Sequence, residues 1–169
     1  MKVLILVDYE NEWIDPKSTY FVGDISQVIK KTNKLIDWAR KNKFKVIFTL
    51  HEDLDSEKEF APNSNNTQVI ATLHTDNSDI IIRKNKISPF YQTDLEGHLH
   101  GVQEIVVAGI LTNLCVRSLV SDAYDRDYKI TVVRDCCVSF NNKVQEFTFE
   151  DLKATRPEIE FINLNEIER

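Results

Sequence analysis

Short apolar runs recur along the chain, separated by longer stretches with helical patterning. Val3-Leu4-Ile5-Leu6-Val7, Val46-Ile47-Phe48, Ile80-Ile81-Ile82 and Ile105-Val106-Val107-Ala108 have no alternation of polar and apolar positions. Ile130-Thr131-Val132-Val133 and Ile159-Glu160-Phe161-Ile162 are nearly as apolar. Runs of this kind predict strands covered on both faces. Between the first two, apolar residues at 25, 28, 29, 35, 36 and 39 keep the 3.6-residue period of a helix, with Asp24 as its start and Gln27 as a capping-box partner. Residues 51 to about 66 form a polar, acidic loop containing Pro62 and three asparagines, and a short helix is expected near 67–74. Further helices are expected near 93–100, from about 112 to 126, and from Val144 to about Lys153.

Six such strands alternating with helices predict a doubly wound six-stranded parallel sheet with helices on both faces, a Rossmann-like three-layer α/β domain spanning residues 1–169. Ligands of such sheets bind beyond the carboxyl ends of the strands, near the point where the strand order reverses. Three reactive side chains fall at such ends. Asp8 closes the first strand, Lys84 the third, and Cys115 follows the fourth across the short turn Gly109-Ile110-Leu111-Thr112. With Thr112 as N-cap, Cys115 would lie in the first turn of its helix, where unpaired N–H groups and the helix dipole favour a thiolate.

Composition narrows the function classes. The 169 residues are 42% hydrophobic and 28% charged, as in an ordinary globular protein. A net charge of −6 leaves no basic footprint for nucleic acid. No apolar stretch approaches the roughly 20 residues that span a bilayer. The first residues meet acids at once and offer no signal-cleavage site, so a cytoplasmic location is expected. Cys115, Cys136 and Cys137 are odd in number and two are adjacent, which argues against a disulfide framework.

A nucleophilic cysteine needs a base or a nearby cation. Asp8 can accept its proton and Lys84 can stabilise the thiolate and hold the aspartate. Taken singly, Asp8 suits a turn or a cap, Lys84 a solvated strand end and Cys115 a small core residue. A phosphoryl-acceptor role for Asp8, with Glu10 helping to hold Mg²⁺, leaves Cys115 unused.

The pattern formed by Asp8, Lys84-x-x-x-Ser88-x-Phe90 and Gly109-x-x-Thr112-x-x-Cys115-Val116, with Asp122-Ala123 and Val132-Val133-Arg134-Asp135 downstream, resembles the isochorismatase-like cysteine hydrolases. That group includes nicotinamidases, N-carbamoylsarcosine amidases and isochorismatase. The resemblance implies a hydrolase acting on C–N bonds other than peptide bonds, with Asp8, Lys84 and Cys115 as its triad. It also implies a cis peptide between Ile110 and Leu111, with the N–H groups of Leu111 and Cys115 as the oxyanion hole. Tyr9, Trp13 and Phe90 are the expected substrate-pocket residues, suited to a planar or apolar amide.

Two departures stand out. Many members read Asp-x-Gln-Asn-Asp-Phe where this chain reads Asp8-Tyr9-Glu10-Asn11-Glu12-Trp13, so Glu10 adds a negative charge beside the site. Nicotinamidases usually carry a metal held by an aspartate and histidines after the second strand. Here His51 and Asp53 are weak candidates only, so no cofactor is expected. The implied partners are a small-molecule amide and further copies of the chain in a homodimer or homotetramer, with no nucleic acid or membrane. A catalytically inactive member that binds a ligand or partner is the alternative.

Overall fold

A computed structural model describes residues 1–167, so the last two residues of the expected 1–169 domain lie outside the described residues. Six strands, β1 (Lys2–Val7), β2 (Lys45–His51), β3 (Ile80–Lys84), β4 (Glu104–Ile110), β5 (Lys129–Val138) and β6 (Glu160–Ile162), form one parallel sheet in the order β3-β2-β1-β4-β5-β6. The order reverses between β1 and β4. Val3 to Val7 are all fully buried, as are Ile105, Val107 and Ala108, which is why these strands carry no polar alternation.

Helix α1 (Ser26–Lys41) packs against β2 and β5, α3 (Arg117–Tyr124) against β5, and α4 (Asn142–Thr155) against β6. Right-handed crossovers that leave β1 and β4 in opposite directions put α1 on one face and α3 and α4 on the other. The short α2 (Leu95–His98) and α5 (Leu164–Ile167) complete the α-helices of the described residues, and the sequence patterning does not predict α5.

Several local expectations change. Asp24 is not the N-cap of α1: its carboxylate accepts from the Ser26 N–H at 2.8 Å, a turn ahead of a helix that begins at Ser26, and Gln27 forms no capping box. Asn141 caps α4 by accepting from the Val144 N–H, so that helix starts at Asn142 rather than Val144.

The expected helix at 67–74 is absent. That segment runs alongside the chain leaving β1, with Glu10 bridged to Val69 antiparallel and the Ile70 N–H donating to the Tyr9 carbonyl at 3.0 Å. The backbone after β1 has left the sheet and needs partners. Residues 66–70 supply them, while Ile70 and Leu73 fill core space.

Gly109 sits at the seam. An added Cβ would lie 2.5 Å from both the carbonyl oxygen and the Cβ of Val7 on β1. No other residue fits without moving a strand. Beside it the β4–β5 register shifts, from Val107 opposite Val132 to Gly109 opposite Cys137.

Candidate active site

The strand-order reversal brings the predicted triad together. Asp8, immediately after β1, has φ 52°, a left-handed conformation that aspartate tolerates better than most residues. Its N–H donates to the Thr49 carbonyl at 2.9 Å, and the Thr49 hydroxyl donates to its Oδ1 at 2.7 Å. β2 therefore fixes both backbone and side chain of Asp8. The other oxygen, Oδ2, lies 2.7 Å from Lys84 Nζ, with both side chains fully buried. Lys84 Nζ also donates to the Lys86 carbonyl at 3.2 Å and lies 3.3 Å from Cys115 Sγ. One ammonium thus joins the ends of β1 and β3 to the turn after β4.

Cys115 lies in a π-helical turn, Thr112–Val116, ahead of α3. Thr112 is not its N-cap. The Thr112 hydroxyl donates to the Val138 carbonyl at 3.0 Å and lies 3.2 Å from Gln145 Oε1, tying the turn to β5 and α4. Leu111 precedes the turn without a side-chain cap, and the Ile110–Leu111 peptide is cis. The Leu114 and Val116 N–H groups both donate to the Leu111 carbonyl.

The electrostatics reverse one expectation. Burial, and then the negative charge of Asp8, push the Cys115 thiol well up, and Lys84 offsets only part of this. The resting group is a thiol, because the carboxylate neighbour and the loss of water outweigh the ammonium. Lys84 itself would be lowered by burial, but the Asp8 carboxylate outweighs that and holds it up as an ammonium.

Glu10 does not behave as a surface charge. It is fully buried, Oε1 accepts from the His51 N–H at 2.5 Å, and Oε2 has no hydrogen-bond partner. Burial first, and the charge of Asp8 second, hold its carboxyl well above the usual carboxylate range. Burial and Asp8 therefore work against the extra negative charge expected from the sequence.

The substrate-pocket expectations divide. Cys115 opens onto a cavity of about 280 Å³ whose wall includes Trp13, as expected, together with Tyr20 and Phe60. Tyr9 is not in it. Its ring is fully buried on the α1 side, where the hydroxyl meets Thr32 Oγ1 at 2.8 Å and donates to the Cys136 carbonyl. Phe90 is also outside the cavity, stacked under the Arg126 guanidinium at 4.3 Å. Its neighbour Ser88 donates to Asp122, which ties the loop after β3 to α3.

Tyr20, Phe60, Leu114 and Ile87 were missed. Phe60 is the one signal that was available: a lone aromatic in an acidic loop, and it is buried.

His51 and Asp53 both line the cavity. Among the described residues no three His, Cys, Asp or Glu side chains group as ligands. His51 Nδ1 lies 3.5 Å from the Lys84 ammonium, and burial followed by that charge lowers the pKa of the imidazole.

Comparison with known proteins agrees with this architecture. The sequence profile of the isochorismatase domain matches residues 2–159, so the chain belongs to the isochorismatase family, a family of hydrolases. Among its relatives is the uncharacterized isochorismatase family protein YaaI of Bacillus subtilis, 28% identical over 162 residues, covering 86% of this chain and 85% of that protein. A probable inactive nicotinamidase of Arabidopsis thaliana is 24% identical over 170 residues, covering 89% and 87%. The crystal structure of an isochorismatase family protein from Desulfovibrio vulgaris superposes with a TM-score of 0.90 at 21% identity, covering 99% of this chain and 96% of that one, which is a likeness of fold.

Proposed function

We propose that this protein is a cysteine hydrolase that cleaves the C–N bond of a small amide through a thioester on Cys115. The observation that carries this reading is the fully buried Asp8–Lys84 pair, 2.7 Å apart, with Lys84 Nζ 3.3 Å from a cysteine that faces a ligand-sized cavity.

In this mechanism the entering amide displaces water and lies against Sγ. Asp8 takes the thiol proton as sulfur attacks the carbonyl carbon, so the thiolate forms only as it is used. Lys84 stabilises the developing negative charge on sulfur. The N–H groups of Leu111 and Cys115 receive the oxyanion. Asp8 returns the proton to the departing nitrogen, giving ammonia or an amine and the Cys115 thioester. Water, deprotonated by Asp8, then hydrolyses the thioester to a carboxylic acid and the free thiol.

The test is a screen of small amides for ammonia release, with and without added divalent metal. Cys115→Ala is expected to abolish release, while Cys136→Ala and Cys137→Ala retain it. Undiminished turnover in Cys115→Ala would refute the mechanism.

A second reading, a ligand-binding member without catalysis, draws on the raised thiol of Cys115 and on the relative named as a probable inactive nicotinamidase. Alkylation of the ligand-free protein at neutral pH does not separate the two, because both hold a resting thiol. A burst of covalent thioester on mixing with amide, trapped by acid and read by mass spectrometry, supports catalysis; no adduct with any bound amide supports the binding protein.

A further inference from the structure

The walls of the cavity beside Cys115 carry a charge pattern that the triad does not use. Trp13, Tyr20 and Phe60 pack edge to face, with ring centroids 6.0 Å apart for Trp13–Tyr20, 5.2 Å for Trp13–Phe60 and 5.1 Å for Tyr20–Phe60. Two carboxylates, Asp53 and Glu59, also line the cavity. Glu59 is held there by the Thr19 hydroxyl, which donates to it at 3.2 Å.

Among the described residues that line the cavity there is no lysine or arginine to cancel them. Lys84 is committed to Asp8, and Arg83 is paired with Glu52. His51, the remaining basic group of the lining, is held toward its neutral form by burial and by Lys84. The surrounding segment adds to the field, since Glu52, Asp53, Asp55, Glu57 and Glu59 face a single lysine, Lys58, between residues 51 and 60. Aromatic faces and a one-signed set of carboxylates around a concave site both attract cations.

We propose that the amide taken by this site bears a positive charge, an ammonium or pyridinium group lodged against the exposed Tyr20 at the edge of the Trp13–Tyr20–Phe60 cluster, with Glu59 and Asp53 as its counter-charges, leaving the carbonyl to reach Cys115. This rests on the reading of Cys115 as the nucleophile of an amide hydrolase, and it replaces the planar or apolar amide expected from the sequence. A cavity of about 280 Å³ is at the small end for ligand sites, which limits the substrate to a compact molecule. Anionic amides are disfavoured by the same two carboxylates.

The experiment separates binding from turnover. Calorimetric titration of Cys115→Ala with three compact amides, cationic 1-methylnicotinamide, neutral nicotinamide and anionic succinamate, reads charge preference without hydrolysis. The cation is expected to bind about tenfold more tightly than the neutral ring, with the anion weakest. In the Cys115→Ala background, Glu59→Gln should reduce the preference, and the Asp53→Asn/Glu59→Gln pair should bring it close to one. Added salt should narrow it in the same direction. Equal binding of cation and neutral ring, or a preference that survives in the pair of substitutions with the fold intact by circular dichroism, overturns the proposal. A cation preference in Cys115→Ala beside no turnover of any amide by the unmodified protein would instead refute the hydrolase reading and leave the charge selectivity standing.

Discussion

Cys115 and the Cys136-Cys137 pair lie on neighbouring segments of one sheet edge, and all three thiols are buried, unbridged and pushed upward. Burial raises Cys136, and raises Cys137 to about 12, just as it raises Cys115. Acidity alone therefore does not distinguish a nucleophile from a core residue here. The distinction lies in what each thiol faces. Cys115 has an ammonium at 3.3 Å, a carboxylate behind that ammonium and an open cavity in front. Cys137 donates to the Val133 carbonyl within its own strand, and the carbonyl of Cys136 is held by Tyr9. The tripeptide after β1 serves both regions: Asp8 faces the reactive one, Tyr9 the inert one, and Glu10 lies buried beside Asp8.

The strongest way to break the contrast is to remove its cation. Lys84→Met leaves Asp8 buried without a partner, and losing one member of a buried pair costs about 3–5 kcal/mol. Denaturant unfolding should show that loss, and amide turnover should vanish with it. Asp8→Asn/Lys84→Met, which removes both charges, should recover much of the stability but none of the activity. If Lys84→Met unfolds at the original denaturant concentration, the pair is not buried as described.

Gly109→Ala attacks the seam between the two regions. The added Cβ meets the Val7 backbone at 2.5 Å, so β1 or β4 must shift. Overpacking of this kind costs about 1–3 kcal/mol, and a clash with backbone belongs at the upper end. Because the displaced strands carry Asp8 and the Cys115 turn, activity should fall at temperatures where the variant is still folded. Full activity in a folded Gly109→Ala protein would show that the triad tolerates strand movement.

How much of this was readable in advance differs between the regions for a physical reason. The strands, their parallel pairing and the meeting of Asp8, Lys84 and Cys115 follow from local apolar runs and a general rule about strand ends. The cavity wall does not. Tyr20 and Phe60 reach it from irregular loops whose course depends on distant backbone partners, and the 67–74 segment was misread because its apolar residues serve a bridge to Glu10 rather than a helix face. Tyr9 was misassigned for a simpler reason: it follows Asp8 directly, yet its side chain points to the opposite layer. The thiol state of Cys115 was equally hidden, since it depends on burial and on a carboxylate brought in by the fold.

Glu10 gives a pH test of the reactive side. Its carboxyl is held well above the ordinary value of 4.5 by burial and by Asp8, so the folded protein keeps a proton that the unfolded chain releases. In that window the native state binds more protons, and stability must fall as pH rises from about 4.5 toward the folded value. Glu10→Gln removes the titration. The difference in unfolding free energy between the two proteins should shift progressively in favour of the glutamine variant from acid to alkaline pH, because the amide has nothing to ionise. A difference that stays flat across the range would mean that Glu10 is ionised in the folded protein, as it is in the unfolded one.

The smallest effect sharpens the inert side. Tyr9→Phe deletes the hydroxyl that donates to the Cys136 carbonyl and meets Thr32, without touching the cavity. A net hydrogen bond contributes about 1 kcal/mol, and the carbonyl left behind is buried, so a loss of about 1–2 kcal/mol is expected. Turnover per folded molecule should stay unchanged. Native-state alkylation should likewise still reach only Cys115, with Cys136 and Cys137 labelled at the rate of unfolding, now somewhat faster. If Tyr9→Phe slows turnover while the protein remains folded, the two thiol regions are coupled through the chain after β1, and the division of Asp8 and Tyr9 between them fails.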